Sequence, residues 1–384
     1  LLSRRQRQMC IRDRNKCNLR CNYCLRNLEQ EENCISTEKL RDIGKFITTY
    51  CDEYKIANIS VQAWGGEPLL EKNKIIALTK FITPQKTKVH YSIETNATLL
   101  TNDVIEELYK NHIGIGISID GDRKCHDLQR TFVSGKGSYD TVKKNLLQAQ
   151  RYYKNKIGTI TTITKQTAVH IEKIIEHLVL DLHISNIKLN FVHASTYTHG
   201  QNQCLNTQEI ADTELRILYK IIELQERGYD VMEHNIFIKL KNLLFREYAD
   251  ICLSCGCCGG EKMIVFDMDG NIYPCELTDD ASFVIGSIYK KESLIEQIKM
   301  TIDKDKAFFK MKKAVECEKC YWKFFCRGGC TVRALSEKRQ MEVIDIDHIE
   351  CAINQVLYPA LMELVLRKPH IVNQMLGEDL LVDE

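Results

Sequence analysis

Residues 17–24 read C-N-L-R-C-N-Y-C, and this stretch is the most informative part of the 384-residue chain. It places Cys17, Cys21 and Cys24 on one short loop. Three thiolates this close together can ligate three irons of a cubane 4Fe–4S cluster, and their spacing differs from that of bacterial ferredoxins. The fourth iron then stays open to a small chelating molecule. A zinc site is the alternative, although the loop offers no obvious fourth ligand.

Beyond this loop, apolar runs with the length of buried strands alternate with segments of helical periodicity. The predicted strands are 59–63, 89–93, 114–119, 157–163 and 187–192. Such alternation predicts an α/β fold with a parallel sheet and helices outside it. Two predicted helices, at about 208–227 and 235–247, lead from this region to a cysteine-rich C-terminal region.

The N-terminal residues lack this patterning and are rich in arginine. Residues 9–13, M-C-I-R-D, can be back-translated as the end of a common sequencing adapter. We therefore expect residues 1–14 to be translated adapter and the natural N-terminus to be lost, with a solvated basic tail as the alternative. Since a strand would ordinarily precede the Cys17 loop, the sheet is predicted to lack its first strand.

Composition limits the compartment and the partners. The formal net charge is +1, which gives no electrostatic case for binding nucleic acid or a membrane surface. No run approaches the ~18 apolar residues of a membrane span, and no signal peptide is recognisable. We therefore expect a cytoplasmic protein. There are 18 cysteines in the chain, and closely spaced cysteines in such a protein bind metals or clusters more often than they form disulfides.

Polar motifs follow the predicted strands. W-G-G-E-P occupies residues 64–68, E-T-N residues 94–96 and S-I-D-G residues 118–121, and H-D-L-Q-R follows at residues 126–130. The carboxyl ends of parallel strands meet at one edge of a sheet, which is where barrel active sites are built. Each motif alone is also consistent with a polar cap on a strand end.

The cysteine loop and these motifs, in this order, resemble the radical S-adenosylmethionine (SAM) superfamily. The resemblance implies a (β/α)6 partial TIM barrel over residues 15–230, in which the open iron of the cluster binds SAM. Reductive cleavage of SAM then gives a 5′-deoxyadenosyl radical that abstracts hydrogen from the substrate. Cofactor contacts are implied for Tyr23, Gly65, Gly66, Glu67, Asn96, Ser118, Asp120 and Arg130. The sequence departs from the family at Ala97, where glycine is usual.

The C-terminal cysteines, over residues 252–384, resemble the SPASM extension of radical SAM proteins, with residues 231–251 as a bridging helix. A hairpin is predicted around D-G-N at residues 269–271. The resemblance implies two auxiliary 4Fe–4S clusters, with a structural zinc site as the alternative. The ligands implied for the second cluster are Cys317, Cys320, Cys326 and Cys351. Those implied for the first are Cys275, Cys330 and one or two of Cys252, Cys255, Cys257 and Cys258, with Cys257 and Cys255 favoured.

The SPASM resemblance implies a peptide or protein substrate and a reductant such as ferredoxin or flavodoxin. We expect a peptide maturase that installs a crosslink or thioether, because the cysteines before the hairpin depart from the sulfatase-maturating pattern. The alternative is an anaerobic sulfatase-maturating enzyme, which forms formylglycine. In that class a carboxylate after the matching cysteine acts as a base, and Glu276 could fill this role, or it could simply face solvent in a loop. A non-catalytic iron–sulfur electron-transfer or scaffold protein is the third hypothesis.

Overall fold

The computed structural model describes most of the chain, in ten stretches. These are residues 7–14, 16–24, 34–154, 156–193, 201–245, 257–260, 262–278, 281–303, 315–338 and 346–377. Two candidate ligands, Cys252 and Cys255, lie outside the described residues.

The strands and helices of the described residues alternate along most of the chain. The strands are β1 Arg7–Arg14, β2 Leu19–Cys21, β3 Asn58–Gly65, β4 Lys88–Thr95, β5 Ile113–Ser118, β6 Arg130–Phe132, β7 Gly158–Ile163, β8 Asn186–Phe191, β9 Met232–Glu233, β10 Met263–Phe266, β11 Asn271–Tyr273 and β12 Gly286–Ser287. The helices are α1 Thr37–Glu53, α2 Lys72–Phe81, α3 Asn102–Lys110, α4 Arg123–Gln129, α5 Tyr139–Tyr153, α6 Lys165–Ala168, α7 Ile171–Glu176, α8 Thr207–Glu226, α9 His234–Phe245, α10 Leu294–Asp303, α11 Val315–Glu318, α12 Lys323–Cys326, α13 Thr331–Lys338, α14 His348–Arg367 and α15 Pro369–Leu376. A π-helical turn, His177–Asp181, continues α7.

The chain divides into two compact units, each built from separate segments. The first unit comprises Leu1–Asn18, Arg26–Gly116 and Cys258–Met311. The second comprises Leu19–Leu25, Ile117–Cys257 and Lys312–Glu384. The predicted boundary at residue 252 lies close to the passage from the second unit back to the first.

The sheet of the first unit has β1 between β3 and β10 and parallel to both. On the other side of β3, β4 pairs in parallel. The predicted hairpin is confirmed, because β10 pairs with β11 in antiparallel fashion. The hairpin joins this sheet through β10, and the domain boundary at residue 252 stays a prediction.

The prediction that the sheet lacks its first strand is wrong. Residues 7–14 form that strand, and Met9, Cys10 and Ile11 are at most 1% exposed. The apolar centre of the segment is covered on both faces, and its backbone is paired with a strand on each side. A central strand of a parallel sheet needs only such a short apolar run. The prediction missed this run because arginines surround it in the sequence. That residues 1–14 derive from an adapter stays a prediction.

The second unit combines the parallel strands β7, β8 and β9, in that order, with a helical layer in which α8 packs against α7 and α14. An antiparallel ribbon of β2 and β6 pairs Cys21 with Arg130. The predicted α/β class with a parallel sheet is confirmed. Closure into a partial barrel stays a prediction.

One described helix, α14, is long and apolar enough, by length and composition, to cross a membrane. The core helix of a globular protein passes the same test, so the observation is weak evidence. In the second unit α14 packs against α8 and buries Leu357, Tyr358 and Leu361. It also buries the charged Glu350 beside Lys239. These contacts account for the apolar residues on the packed side of α14.

Candidate active site

Glu67 joins three segments of the first unit. Its side chain is fully buried, and its carboxylate accepts hydrogen bonds from the Thr95 hydroxyl at 2.6 Å, the Asn96 N–H at 2.8 Å and the Leu69 N–H at 3.0 Å. Its own N–H donates to the Lys16 carbonyl at 3.0 Å. Burial raises the pKa of Glu67, whereas these hydrogen bonds lower it. The carboxylate therefore fixes the backbone after β3 and β4 beside the start of the cysteine loop.

Asn96 connects the Glu67 carboxylate to the cysteine loop at Cys17. Its amide nitrogen donates to Asn18 Oδ1 at 2.9 Å and lies 3.8 Å from Cys17 Sγ. Its amide oxygen accepts the Thr98 N–H at 3.0 Å. The intervening Ala97 has a φ of 58°, a left-handed conformation that favours glycine. The backbone at Ala97 thus keeps the shape that glycine would adopt, at the position where the sequence departs from the family.

In the second unit, Asp120 is the centre of a buried polar cluster. Its Oδ2 accepts hydrogen bonds from Tyr23 Oη at 2.7 Å, Arg130 Nε at 2.8 Å and Gln129 Nε2 at 3.0 Å. The Arg130 guanidinium lies over the Tyr23 ring and reaches within 3.9 Å of Cys21 Sγ through Nη1. A buried cation is therefore held beside a predicted cluster ligand by a buried anion.

His126 and Gly121 shape the turn that follows β5. The buried His126 accepts the Asp120 N–H through Nδ1 at 3.2 Å, and its Nε2 hydrogen-bonds Ser138 Oγ at 2.9 Å. Gly121 has a φ of 96°, and a Cβ there would lie 2.7 Å from Ile174 Cγ1. Only glycine fits this position without displacing its neighbours.

We expect acid to destabilise the protein through His126. Burial lowers the pKa of His126 from 6.5 to about 4. The unfolded chain binds this proton at a higher pH than the folded chain, so the free energy of unfolding falls as the pH drops from 6.5 towards 4. The shift predicts a loss of about 2 kcal/mol between pH 7 and pH 5, measurable by denaturant unfolding. The H126Q variant should lose this part of the pH dependence; equal pH dependence in both proteins would contradict the assignment.

Four predicted cluster ligands line one pocket of the second unit. They are Cys317, Cys320, Cys326 and Cys351. The pocket encloses about 370 Å³ of space, part of it open to solvent. Burial raises the pKa of the Cys351 thiol, and the charges of Cys320 and Cys317 raise it further. Thiols from two segments far apart in sequence are therefore close enough to influence each other.

A second pair of predicted ligands, Cys257 and Cys330, lies elsewhere in the same unit. Burial raises the pKa of the Cys330 thiol to about 11, and the nearby charges of Asp347 and Cys257 raise it too, against the lowering effect of Arg333. The Cys330 N–H donates to Asp347 Oδ2 at 2.7 Å. The same oxygen accepts from Arg333 Nη2 at 2.6 Å.

Cys275 and Glu276 follow β11 in the first unit. The Cys275 sulfur accepts the Leu277 N–H at 3.4 Å and is buried. Glu276 is half-buried, and its Oε2 lies 3.8 Å from Cys10 Sγ. Arg12 Nη2 donates to the Glu276 carbonyl at 3.4 Å. Glu276 is therefore partly enclosed beside a thiol and does not simply face solvent.

The donor set suits iron–sulfur clusters. None of the described cysteines of the predicted ligand sets is in a disulfide. Cys17 and Cys21 each have a polar N–H donor within 4 Å, from Asn96 and Arg130, and such donors stabilise thiolates and orient them. Among the described residues, no three His, Cys, Asp or Glu side chains are arranged to hold a single metal ion. The four thiols of the pocket line one common space, as the ligands of a single cluster must.

The other predicted residues lie where the strand pattern puts them. Gly65 ends β3 and Ser118 ends β5, so both are at carboxyl ends of strands. The Cys24 N–H donates to the Cys21 carbonyl at 3.1 Å, which makes a tight turn of the loop. Gln129 was not predicted as a site residue, yet its side chain donates a hydrogen bond to Asp120. Its place inside H-D-L-Q-R was the available signal.

Known proteins with similar sequences are radical SAM enzymes and maturases. Residues 13–178 match the radical SAM superfamily. The cysteine-type anaerobic sulfatase-maturating enzyme of Clostridium novyi is 26% identical over 82% of this chain and 84% of its own length. The serine-type enzyme of Bacteroides thetaiotaomicron is 25% identical over 82% and 80%. The radical SAM cyclopropyl synthase TigE of Paramaledivibacter caminithermalis is 24% identical over 91% and 72%.

Solved structures share the fold. The structure of anSMEcpe with bound AdoMet superposes with a TM-score of 0.80 at 21% identity, covering 94% of this chain and 98% of that one. Streptococcus suis SuiB bound to precursor peptide SuiA superposes with a TM-score of 0.64 at 17% identity, covering 89% and 75%. The match over residues 13–178 and the sulfatase-maturating relatives argue for an enzyme and against the non-catalytic scaffold hypothesis. Residues 13–178 are a radical SAM domain, which implies a 4Fe–4S cluster and SAM, and the sulfatase-maturating relatives indicate an enzyme.

Proposed function

We propose that Cys17, Cys21 and Cys24 hold the 4Fe–4S cluster and that the protein uses it to modify a peptide or protein. When bound, the cluster supplies the electron that cleaves SAM to a hydrogen-abstracting radical. A low-potential donor such as ferredoxin or flavodoxin would supply that electron in turn. This assignment is supported by the N–H donors of Asn96 and Arg130, which lie within 4 Å of the Cys17 and Cys21 sulfurs.

The chain's own residues would bind and orient SAM. Gly65 and Gly66 carry no side chain that would obstruct close approach of a ligand to their backbone, and Glu67, next in the chain, accepts hydrogen bonds from the Leu69 and Asn96 N–H groups. Asn96 and Arg130 offer N–H donors next to two of the cluster thiols. Two residues of the second unit complete the proposed SAM contacts. They are Tyr23, which donates a hydrogen bond to Asp120, and Ser118, at the end of β5.

We also propose two auxiliary clusters. The pocket that Cys317, Cys320, Cys326 and Cys351 line supports one of them, because four thiols match the ligand number of a closed 4Fe–4S cluster. Cys275, Cys330, Cys257 and Cys255 would hold the other. The influence of Cys257 on Cys330 supports part of that set; Cys258, buried in the first unit, remains the alternative ligand.

The substrate class is a peptide or protein. The similar proteins are named as sulfatase-maturating enzymes and a cyclopropyl synthase, and SuiB was solved with its precursor peptide. The first candidate reaction is crosslink or thioether formation on a precursor peptide. The spacing of the cysteines before β10, which departs from the sulfatase-maturating pattern, supports it. The likeness to TigE and SuiB agrees with it.

Formylglycine formation is the second candidate, and Glu276 favours it. This reaction oxidises a substrate cysteine or serine and requires a base to take the proton from its thiol or hydroxyl. A half-buried carboxylate that directly follows a proposed cluster ligand suits that task.

The E276Q variant tests this second candidate. With a cysteine-containing sulfatase peptide, product formed per 5′-deoxyadenosine released should fall by about 10²–10⁴-fold, the range for loss of a general base. E292Q, at an exposed carboxylate of the same unit, is the control. Unchanged product from E276Q, or no formylglycine from the unaltered protein, would remove this candidate and leave crosslink formation.

A further inference from the structure

Helix α14 presents two neighbouring amides, Asn354 and Gln355, to the pocket of four cysteines in the second unit. Both residues line the pocket. Cys351, one turn earlier on the same helix, also lines it. Residues four apart on a helix share one face, so the helix brings a ligand and an amide to the same wall of the pocket. Neither amide belongs to a motif that the sequence suggested.

Gln355 contacts two of the thiols. Its Nε2 donates to Cys320 Sγ at 3.6 Å. A second hydrogen bond from the same side chain lowers the pKa of the Cys351 thiol, against the burial that raises it. An amide can donate two hydrogen bonds through one nitrogen. A ligated thiolate can only accept, which fixes the orientation with nitrogen towards the sulfurs.

Asn354 contacts a third thiol. Burial raises the pKa of the Cys326 thiol to about 11, and a hydrogen bond from the Asn354 side chain lowers it. The orientation of this amide is fixed from behind, because Lys239 Nζ donates to Asn354 Oδ1 at 2.7 Å. The amide nitrogen then donates to Glu350 Oε1 at 3.2 Å, and Asn354 lines the pocket together with Cys326.

Lys239 orients Asn354 without adding a net charge beside the pocket. The lysine is 2% exposed, and its ammonium forms an ion pair with the buried Glu350. A buried cation persists only when it is paired in this way. The two charges offset each other, and the amides share the pocket wall with the charged residues Lys323 and Asp347.

We propose that Asn354 and Gln355 are positioning residues that donate N–H···S hydrogen bonds to the cluster held by Cys317, Cys320 and Cys326 with Cys351. This inference rests on the auxiliary cluster of the proposed function. Hydrogen bonds to cluster sulfurs stabilise the reduced, more negative state and so raise the reduction potential. The two amides therefore make this cluster a better electron acceptor than the four thiolates alone would make it.

The test is a potentiometric titration of the full, anaerobically reconstituted protein, followed by electron paramagnetic resonance. In Q355M, which keeps the length of the side chain but removes the donor, one cluster signal that does not respond to SAM should titrate at a lower potential. We expect its reduced-to-oxidised ratio at the unaltered midpoint to fall about tenfold, which corresponds to about 59 mV for one electron. Q355E should shift the same signal further, because it also adds a negative charge. Q374M, at an exposed position on α15, should leave every midpoint unchanged.

An unchanged midpoint in Q355M with full iron content would overturn the inference. If the variants lose iron, the unaltered protein exchanged into deuterium oxide gives a second measurement. An exchangeable deuteron coupled to the SAM-insensitive cluster is expected in electron–nuclear double resonance, and its absence would overturn the inference. A protein that cleaves SAM but contains only about four irons, the content of one cubane cluster, would also overturn it while leaving the radical SAM function intact. Loss of the function itself appears separately, as absent SAM cleavage in the unaltered protein.

Discussion

Replacing Cys21 with alanine is expected to abolish SAM cleavage and to remove about four irons per chain, the content of one cubane cluster. The loss of activity should be at least about 100-fold, because even residues that only support a metal ligand cost 10–100-fold when replaced. The same result is expected for Cys17 and Cys24. The assay measures 5′-deoxyadenosine released with dithionite, and iron is counted on the same sample.

C34S is the matched control for this substitution. Cys34 lies outside the quoted loop, is exposed, and accepts a hydrogen bond from Lys74 Nζ at 3.0 Å. Its replacement should leave both iron content and SAM cleavage unchanged. If C21A kept full iron and full cleavage, the loop would not hold the cluster that activates SAM.

Replacing Asp120 with asparagine is expected to have the largest effect on stability. Asp120 is fully buried and pairs with the buried Arg130 at 2.8 Å. Removing one partner of a buried ion pair leaves the other charge uncompensated and costs about 3–5 kcal/mol. The free energy of unfolding from denaturant titration should fall by this amount. Iron on the Cys17 loop should fall with it, since Arg130 lies beside Cys21.

A double variant separates charge from shape at this site. D120N combined with R130M removes both charges, so it should be less destabilised than D120N alone, as expected for a coupled pair. D230N, at an exposed aspartate of the second unit, should change stability by less than about 0.5 kcal/mol. Additive losses from the two substitutions would contradict the coupling between Asp120 and Arg130.

Much of this site was predictable because the strand ends carry a local signal. A buried strand is a short apolar run, and the first polar residues after it must lie at the carboxyl edge. Glu67, Asn96 and Asp120 were found in this way. Their chemistry was less predictable: the buried Glu67 carboxylate accepts hydrogen bonds from Thr95, Asn96 and Leu69, and the sequence does not indicate these partners.

The features that sequence reasoning missed depend on contacts between distant segments. The apolar centre of β1 is only three residues long within an arginine-rich run, so its burial depends on pairing with β3 and β10. The ribbon of β2 and β6 has three-residue strands, too short for any periodicity. Asn354 and Gln355 acquire their role from the thiols they face, and their own helix gives no sign of it.

The central claim is that this chain is a radical SAM enzyme with three iron–sulfur clusters. The most direct measurement is the number of irons per chain in the anaerobically reconstituted protein, together with 5′-deoxyadenosine produced from SAM under dithionite. About twelve irons, four for each cluster, with steady release of 5′-deoxyadenosine is the predicted result. Full iron content without SAM cleavage, or cleavage with only about four irons, would contradict it.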